Sequence, residues 1–480
     1  MGKNFQYTAL ADEMARKIED KVFLPGERLP SLRETRQRTG LSVTTVYKAY
    51  IEMESRGLVE ARDKSGFYVA SRLLARTPRP VMKEHGMAPR KVMLRASVLE
   101  MVHRLSQPGV VRMGCALPDE GILPSRHLGR AMKELATSRP AEMFVLYAET
   151  TGMPELKREI AKLALHAGRG VSESDVVVTN GCMEALNLCL RAAAGPGEVV
   201  AVESPTYFGL LETIADLGMY ALEVPTDPET GISLPHLARA LDEHQVKALV
   251  TIPNFHNPLG ALMPIESKRE LLDLAARKNL VVIEDDVYGE QYYGDTRPAT
   301  LYSMDTKGRV MYCSSFSKTL SPALRIGWTL PGAFLDRVSR HKSSLNVANA
   351  SAPQLVLARY LKDNAYERHL RRLRGTLKKQ AAAYTRAVEE SFGPAVRVNH
   401  PRGGMLLWVE MEEGTDAMEL YRRADEEGIS ILPGSVCSLT GSYRNCIRLN
   451  CGVPLDNRAL AAVRRLGQLA REVKARSRVA

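Results

Sequence analysis

The 480-residue chain has little of what marks membrane-spanning, secreted or zinc-ribbon proteins. No apolar run approaches the roughly 18 residues that a bilayer-crossing helix needs. The N-terminal stretch MGKNFQYTALADEMARKIED lacks the apolar core of a signal peptide. The seven cysteines are scattered without a C-x-x-C pair, which argues against zinc ribbons and disulfide frameworks. We therefore expect a cytoplasmic protein with no metal site and no membrane partner.

The positive charge of the chain is concentrated at its N-terminal end. The net charge is +11, and residues 1–110 hold 20 Lys and Arg against 12 Asp and Glu, which leaves +8 in that segment. A basic end suits an anionic partner such as DNA, but a solvated basic face has the same composition. The length predicts two or three domains.

The N-terminal segment predicts three short helices followed by a hairpin. Apolar residues repeat at helical spacing between residues 7 and 18. Ser31 and Glu34 form the Ser-x-x-Glu pattern of a capping box, so a second helix begins there. Gly40 is placed to end that helix, and Ser42 is placed to cap a third. The run LVEARDKSGFYVA then predicts two short strands around a turn.

Two helices joined by a short turn predict a helix-turn-helix whose second member, the third helix of the chain, enters the DNA major groove. Hydroxyl and cationic side chains on that helix, with the hairpin as a wing, can reach phosphates or base edges. An exposed polar helix on a small helical domain is the alternative. The candidate DNA-binding residues are Arg33, Ser42, Thr44, Thr45, Lys48, Lys64 and Gly66.

Over residues 1–72 the stretches PGERLPSLRE, TGLSVTTVYKAYIEMESRGLVE and KSGFYV resemble the winged helix of the GntR family of regulators. The resemblance implies a DNA-binding domain. Many members of that family have an arginine where this chain has Val43, so a different sequence preference is expected. Residues 73–110 are basic, contain prolines and show little periodicity, which predicts a semi-stiff basic linker.

Residues 111–480 predict an α/β domain with a mostly parallel sheet. From about residue 175 the strand-like runs DVVVTN, EVVAVES, KALVTIP, LVVIEDD and VMYCSS alternate with helical patterns. Such alternation indicates helices on both faces of the sheet. After about residue 365 a long helix, two strands and a closing helix predict a small α+β part, so the large part ends near 365 and the small part covers about 366–480.

Chemically distinctive residues follow several of these strands. Because ligands collect at the carboxyl ends of parallel strands, we expect them to meet at one edge of the sheet. Taken singly, each has an ordinary explanation, such as a turn glycine, a helix cap or a surface lysine. The candidates are the backbone N–H groups of Gly181, Cys182 and Met183 and the side chains of Asn257, Asp285, Tyr288, Ser315 and Lys318.

Together these residues meet the needs of pyridoxal phosphate. Lys318 supplies an amine for a Schiff base with the aldehyde, and Asp285 supplies a carboxylate that keeps the pyridine nitrogen protonated. These two are therefore the candidate catalytic residues. The phenolate oxygen, the phosphate and the ring require donors, an anion site and a stacking partner. Asn257 and Tyr288 are assigned as donors to the phenolate oxygen. The Gly181 turn, Ser315 and Arg325 are assigned to the phosphate, and Tyr207 is assigned as the stacking partner of the ring.

The order G-C, Y, N-P-x-G, D-x-x-Y, S-x-x-K, an arginine seven residues later and a late arginine resembles that of fold-type I aminotransferases of the aspartate aminotransferase class. The resemblance covers about residues 112–480. It implies that Arg448 holds a substrate or effector carboxylate and that Tyr147 reaches the cofactor phosphate of a neighbouring subunit, hence a homodimer. A strand-edge arginine in a surface pair and a core tyrosine are the alternatives.

A winged helix, a basic linker and an aminotransferase-like domain in one chain resemble the MocR subfamily of GntR regulators. The resemblance implies a transcription regulator that binds operator DNA and senses pyridoxal phosphate or its adduct with an amino acid or amine. A working amino-acid aminotransferase with an accessory DNA-binding module is the alternative. A regulator with an emptied cofactor site is disfavoured, because Lys318 and Asp285 are both present.

Overall fold

A computed structural model of the chain divides into two compact units, Met1–Pro78 and Arg79–Ala480, and each unit is described by itself. Within the described part of the chain, no helix is both long and apolar enough to cross a membrane. The described residues are 6–20, 22–24, 26–55, 58–62, 65–70, 78–93, 101, 104, 107, 109–362 and 365–477.

The first unit is a winged helix-turn-helix, as predicted. Ser31 and Glu34 form the reciprocal capping box at the start of the second helix, and Gly40 ends that helix with a left-handed φ of 70°. Two short strands then pair in an antiparallel hairpin. The elements are α1 (Gln6–Glu19), α2 (Leu32–Thr39), α3 (Val43–Ser55), β1 (Val59–Arg62) and β2 (Gly66–Val69).

A buried tyrosine holds the two helices of this motif together. The Tyr50 hydroxyl donates to the Pro30 carbonyl at 2.8 Å and pairs with the Thr35 hydroxyl at 2.8 Å. The Tyr50 ring also meets the Phe67 ring of β2 edge-on, with centroids 5.1 Å apart. Because α3 is fixed to α2 and to the wing by one side chain, its outer face is presented in a defined orientation.

The second unit is built on a nine-stranded sheet in the order β3-β7-β6-β9-β10-β11-β12-β5, with β8 paired to β7. Strands β7, β6, β9, β10 and β11 run parallel, while β3, β8 and β12 are antiparallel to their neighbours. The antiparallel strand β12 was not predicted. The strands are β3 (Arg90–Lys91), β5 (Val177–Thr179), β6 (Val199–Ser204), β7 (Tyr220–Asp227), β8 (Gly231–Ile232), β9 (Val246–Thr251), β10 (Val281–Asp285), β11 (Val310–Ser315) and β12 (Gly327–Leu330); β4 (Val111–Arg112) lies outside this sheet.

Helices cover both faces of the sheet, because side chains alternate between two hydrophobic clusters along each central strand. In β9, Ala248 and Val250 belong to one cluster and Leu249 to the other; Ile283 and Val282 of β10 divide in the same way. The helices before the small part are α4 (Ser125–Ser138), α5 (Pro140–Phe144), α6 (Pro154–His166), α7 (Cys182–Ala193), α8 (Phe208–Asp216), α9 (Leu234–Glu243), α10 (Ile265–Arg277), α11 (Leu301–Met304), α12 (Leu335–Leu345) and α13 (Ser351–Lys362).

The small part begins with a long helix and contains a four-stranded sheet in the order β13-β14-β17-β16. This agrees with the α+β arrangement predicted after residue 365. Its elements are α14 (Ala365–Phe392), β13 (Arg397–Val398), β14 (Leu406–Glu410), α15 (Ala417–Glu426), β15 (Ile429–Ser430), β16 (Leu432–Pro433), β17 (Cys446–Asn450) and α16 (Asn457–Ser477).

The segment predicted as a linker, residues 73–110, is shorter in the structure, because residues 79–93 belong to the second unit. Strand β3 adds to the sheet beside β7, and Met87 and Val92 are buried. The basic side chains are also engaged: Arg79 pairs with Glu229, and Lys83 lies 3.7 Å from Glu410. Apolar side chains widely spaced along the sequence gave no periodic signal for this packing.

Candidate functional site

The carboxyl ends of the parallel strands bring the predicted residues to one edge of the sheet. Asp285 ends β10, Ser315 ends β11, and Asn257 lies in the loop after β9. Gly181 follows β5 and begins α7. Since β9, β10 and β11 are neighbours in the sheet, these loops converge as the general rule for α/β sheets predicts.

Lys318 ends a short 3₁₀ turn, Phe316–Lys318, directly after β11. Its Nζ donates a hydrogen bond to the Ala116 carbonyl at 2.8 Å and lies 5.9 Å from the centroid of the Tyr288 ring. Removal from water and then the positive charge of Arg448 lower the pKa of Lys318 to about 8. A substantial fraction of this amine is therefore neutral, and nucleophilic, near neutral pH.

Asp285 is buried at the end of β10 and accepts hydrogen bonds at one carboxylate oxygen. The donors to Oδ1 are the Val287 N–H at 3.2 Å and the Cys182 thiol at 3.6 Å. Burial raises the pKa of Asp285 to about 6, because the charged carboxylate loses solvation there. Burial also raises the pKa of the Cys182 thiol, so it stays a protonated donor. A buried carboxylate of this kind is suited to a cationic partner.

Arg448, Asn257 and Tyr288 form a buried polar chain. Arg448 donates through Nη1 to the Asn257 side-chain oxygen at 2.9 Å and through Nη2 to the Gly114 carbonyl at 2.5 Å. The Asn257 amide donates to the Tyr288 hydroxyl at 3.4 Å. Arg448 is only 2% exposed, and among the described residues its Nε has no hydrogen-bond partner. The guanidinium therefore keeps a donor for an anionic ligand.

The turn before α7 combines three features of an anion site. Gly181 has φ 77°, and a Cβ there would collide with the Arg325 guanidinium, so glycine is required. Arg325 itself has a left-handed φ of 53° and donates through Nη2 to the Asn180 carbonyl at 3.0 Å. Such a conformation costs about 1–3 kcal/mol for a non-glycine residue and is typical of functional sites. The N-terminus of the 12-residue helix adds its positive end.

The residues present fit pyridoxal phosphate on the chemistry of the donor set. The site holds an amine with a lowered pKa, Lys318, and a buried carboxylate with a raised pKa, Asp285. It also holds a glycine turn with an arginine for a phosphate. The unpartnered Nε of Arg448 adds a donor for a carboxylate. The described residues thus offer the amine and the carboxylate that this cofactor requires, together with an anion site.

Four other predicted residues lie in different surroundings. Tyr207 is half-buried just before α8, and its hydroxyl is close enough to Arg448 and Asp285 for their charges to affect its pKa, which burial raises. Ser315 is buried and its hydroxyl accepts the Ser317 N–H at 3.4 Å. The Met183 side chain packs on a hydrophobic cluster, so only its backbone N–H is available to a ligand. Tyr147 is instead 87% exposed, on the loop after α5.

The structure adds supporting residues that the sequence reading missed. Gln291 donates to the Lys318 carbonyl at 2.6 Å and so fixes the backbone that carries the amine. The buried Lys342 donates to both Glu184 carboxylate oxygens, at 3.0 and 3.1 Å, within the first turn of α7. Glu184 is the third residue of α7, a position at which acidic side chains often cap a helix, so its place in the sequence is a local signal. Lys342 and Gln291 carry no local signal.

The first unit presents part of its predicted DNA-binding set on an open surface. Arg33, Thr44 and Lys48 are exposed. The Ser42 hydroxyl accepts the Thr45 N–H at 3.1 Å and pairs with the Thr45 hydroxyl at 2.8 Å. Ser42 therefore caps α3 and its hydroxyl is paired with that of Thr45, whereas Thr44 is the hydroxyl residue of this turn outside that pair.

The wing contributes a glycine beside an arginine. Gly66 begins β2 with φ 107°, and a Cβ there would lie 3.5 Å from the Arg28 guanidinium. Arg28 also forms an isolated bridge with Tyr68. Lys64, the remaining predicted contact, lies outside the described residues.

A winged helix-turn-helix and a fold-type I aminotransferase-like domain in one chain define a class of transcription regulators that carry an enzyme-like ligand domain.

Comparison with known proteins agrees with this class. The profile of the family "Aminotransferase class I and II" matches residues 117–464, and that of the gntR family of bacterial regulatory proteins matches residues 6–69. The chain is 36% identical to the uncharacterised HTH-type transcriptional regulator YjiR of Escherichia coli strain K12, over 96% of this chain and 98% of YjiR. It is 35% identical to YdcR of the same strain, an uncharacterised HTH-type transcriptional regulator, over 97% of this chain and 99% of YdcR.

A solved structure supports the fold of the second unit. LysN, the α-aminoadipate aminotransferase of Thermus thermophilus, is 28% identical and superposes with a TM-score of 0.73 over 80% of this chain and 96% of LysN. That structure contains N-(5′-phosphopyridoxyl)-L-leucine. The chain belongs to the aminotransferase class I and II family and carries a GntR-type DNA-binding domain, the combination that defines the MocR subfamily of transcription regulators.

Proposed function

We propose that the protein holds pyridoxal phosphate on Lys318 and regulates transcription in response to the cofactor or to its adduct with an amino acid or amine. The observation that carries the proposal is a shared contact. Lys318 donates to the Ala116 carbonyl and Arg448 donates to the Gly114 carbonyl. Two cations suited to a ligand thus hold one short segment of chain, which leads in sequence toward the DNA-binding unit.

Each part of the cofactor has a residue of this chain to hold it. Pyridoxal phosphate supplies an aldehyde for covalent attachment and a pyridinium ring that draws electrons from an attached amino group. Lys318 would carry the aldehyde carbon, and the Asp285 carboxylate would hold the ring nitrogen in its protonated form. Asn257 and Tyr288 would donate to the phenolate oxygen. The Gly181 turn, Ser315 and Arg325 would bind the phosphate, and Tyr207 would stack on the ring.

Arg448 is the proposed effector contact. It is buried, and one of its donors is unpartnered among the described residues, while the other two nitrogens bind Asn257 and Gly114. A guanidinium in such surroundings prefers a carboxylate, which it can bind with two parallel hydrogen bonds. The effector class is therefore an amino acid, or an amine with an anionic group in reach of Arg448.

Residues 111–119, here called the strap, would transmit the signal. Strand β4 within the strap pairs with β15 of the small part, and the Asn450 N–H donates to the Met113 carbonyl at 2.6 Å. The Asn450 side chain donates to the Leu117 carbonyl at 2.8 Å. When Lys318 and Arg448 turn to a ligand, two strap carbonyls lose their donors. Ligand and strap thus compete for Lys318 and Arg448. The conformation in which these side chains hold the strap and the one in which they release it therefore bind the ligand with different affinities.

The active form is proposed to be a homodimer. Four consecutive large side chains from Phe144 to Tyr147 are 58–87% exposed, and Leu345 and Val347 are also exposed. The Ser351 hydroxyl donates to the Leu146 carbonyl, which connects α13 to this loop. An exposed apolar stretch of this size is typical of an interface. A dimer would bring Tyr147 to the partner's site and would let two winged helices bind two half-sites.

A working aminotransferase is the second candidate. The full set of cofactor residues favours it, and the chain is 31% identical to the 2-aminoadipate transaminase of Thermus thermophilus over 78% of this chain and 94% of that enzyme. The two candidates differ in what the ligand changes, which is operator affinity in one case and turnover in the other.

The test measures both quantities on the same protein. Duplexes are enriched from a random library by the full-length chain, and their affinity is measured with and without pyridoxal phosphate and a panel of amino acids. A coupling of about 1–3 kcal/mol changes affinity about 5- to 150-fold. We expect Lys318→Ala to lose the cofactor response and Arg448→Met to lose only the amino-acid response. Lys307→Ala, at an exposed lysine, should match wild type.

The contrary result is equally defined. If every ligand leaves the affinity and footprint of the wild type unchanged while transamination is fast, the sensor function is wrong and the aminotransferase stands. If ligands shift affinity and transamination is slow, the regulatory function stands.

A further inference from the structure

We propose that α3 reads the 5-methyl groups of thymine through Val43 and Tyr47, so that each operator half-site carries thymine at the two positions these side chains face. The proposal rests on the DNA-binding part of the proposed function. It goes beyond that function because it names the base and the chemical group that is recognised.

The first observation is the exposure of two large apolar side chains on one side of α3. Val43 is 39% exposed and Tyr47 is 48% exposed, whereas Val46, Ala49 and Tyr50 are buried in the core of the unit. At 100° per residue, positions four apart on a helix lie about 40° apart around its axis. Val43 and Tyr47 therefore form one short apolar strip, which a partner with an apolar group can cover.

The second observation is the side-chain chemistry of α3, which reads VTTVYKAYIEMES. Bidentate contacts to guanine and adenine are made by arginine, lysine, asparagine and glutamine, and of these residue types α3 contains only lysine. Lys48 is its one cation in the sequence. Its two glutamates, Glu52 and Glu54, lie near the C-terminal end of the helix, whereas the N-terminal residues of a recognition helix contact base edges. Direct readout by the N-terminal part of α3 must therefore use Lys48, hydroxyl groups and apolar contact.

The third observation removes two hydroxyl groups from that set. The hydroxyls of Ser42 and Thr45 bind each other at 2.8 Å, and Ser42 also accepts the Thr45 N–H. Both are thus engaged with each other at the start of α3. Thr44 and the phenol group of Tyr47 remain, and both side chains are exposed. The dominant surface offered to base edges is apolar, and thymine is the base with an apolar group in the major groove.

The orientation of the strip is held by the core rather than by DNA. The Tyr50 hydroxyl binds the Pro30 carbonyl and the Thr35 hydroxyl, each at 2.8 Å, so α3 cannot turn about its axis without breaking these bonds. A fixed strip meets the groove at fixed positions, and this allows two side chains to distinguish bases rather than merely to add affinity.

The experiment removes single methyl groups from the DNA. Full-length protein enriches duplexes from a random library, and each thymine of the enriched half-site is then replaced by deoxyuridine, which differs only in the 5-methyl group. Burial of one such group contributes about fourfold to affinity. We expect about a fourfold loss at each of two thymines, and no loss at thymines outside the half-site.

Protein variants assign each methyl group to a side chain. Val43→Ala should abolish the deoxyuridine effect at one thymine and Tyr47→Ala at the other, while Tyr47→Phe should retain it. Lys48→Ala should weaken binding to all duplexes and reduce its salt dependence, yet leave both deoxyuridine effects in place. Val43→Arg should shift the preferred base at its position from thymine to guanine, because arginine donates to the guanine acceptors.

Two outcomes overturn the proposal alone. The first is a set of enriched duplexes without a common thymine. The second is a half-site in which deoxyuridine changes affinity by less than about twofold, compared with the fourfold expected for a buried methyl group. In either case DNA binding itself is retained. A library from which the protein enriches nothing contradicts DNA binding and this proposal together. The two failures are thereby told apart.

Discussion

The lowered pKa of Lys318 makes a quantitative prediction about cofactor binding. Only the neutral amine attacks an aldehyde, so the rate of covalent attachment follows the neutral fraction of Lys318. Because the pKa is about 8 rather than the usual 10.5, the rate should rise tenfold per pH unit below pH 8 and level off above it. For a lysine in water the rise continues to about pH 10.4.

The size of the effect follows from the two pKa values. At pH 7, an amine with a pKa of about 8 is neutral about 300 times more often than one with a pKa of 10.5. That ratio corresponds to about 3 kcal/mol, which the protein spends on holding the ammonium away from water beside Arg448. The same shift destabilises the folded, cofactor-free protein: the cost is present in full below about pH 8 and is lost as the pH rises from 8 to 10.5, where the unfolded chain also loses its ammonium proton.

The assay is stopped-flow absorbance of cofactor-free protein mixed with pyridoxal phosphate between about pH 6 and 10, which spans both lysine pKa values. N-acetyl-lysine methyl ester is measured in parallel, and the ratio of the rates cancels the titration of the cofactor. Arg448→Met should move the break to higher pH, because the arginine charge lowers the lysine pKa. Asp285→Asn should move it to lower pH, because the carboxylate raises that pKa. With a pKa of about 8 the ratio of the protein rate to the free-lysine rate stays constant below pH 8 and falls above it. A ratio that stays constant to the upper end of this range, or two variants that shift the break in the same direction, would refute the reasoning.

Two further predictions concern stability. Asp285→Asn should stabilise the cofactor-free protein by up to about 3 kcal/mol above pH 6 and by nothing below about pH 4. The reason is that the folded pKa of Asp285, about 6, exceeds its usual 3.8, so burial disfavours the carboxylate only where it is charged. Urea denaturation at a series of pH values measures this, and a gain in stability that does not depend on pH would count against it. Tyr50→Phe should destabilise the first unit by about 1–3 kcal/mol, because the Thr35 and Pro30 partners lose a buried hydrogen bond. Hydrogen exchange over residues 6–69 would detect faster opening, and unchanged protection would contradict it.

The regulatory proposal and the thymine proposal concern different units and can fail separately. Loss of the Lys318 response would leave the apolar strip of α3 intact, and a thymine-free operator would leave the competition between ligand and strap intact. Experiments on one unit therefore need no assumption about the other.

Much of this protein could be predicted from its sequence because the determinants are local. The capping box of Ser31 and Glu34 and the left-handed Gly40 are interactions within four residues, so they appear in the structure where the sequence places them. The alternation of strands and helices implies strand ends at one edge, and Lys318 and Asp285 meet there for that reason.

Tertiary structure alone decided what those residues contact. Lys318 binds a carbonyl 202 positions away, and Arg448 binds an amide oxygen 191 positions away. The pairing of residues 90–91 with β7 and that of β12 with β5 depend in the same way on neighbours distant in sequence. Hydrogen bonds between remote segments leave no periodic pattern in either segment, because any polar side chain or backbone group can serve. The sequence therefore determines which kinds of residue form the site, whereas the hydrogen bonds from Lys318 and Arg448 to the strap exist only in the folded chain.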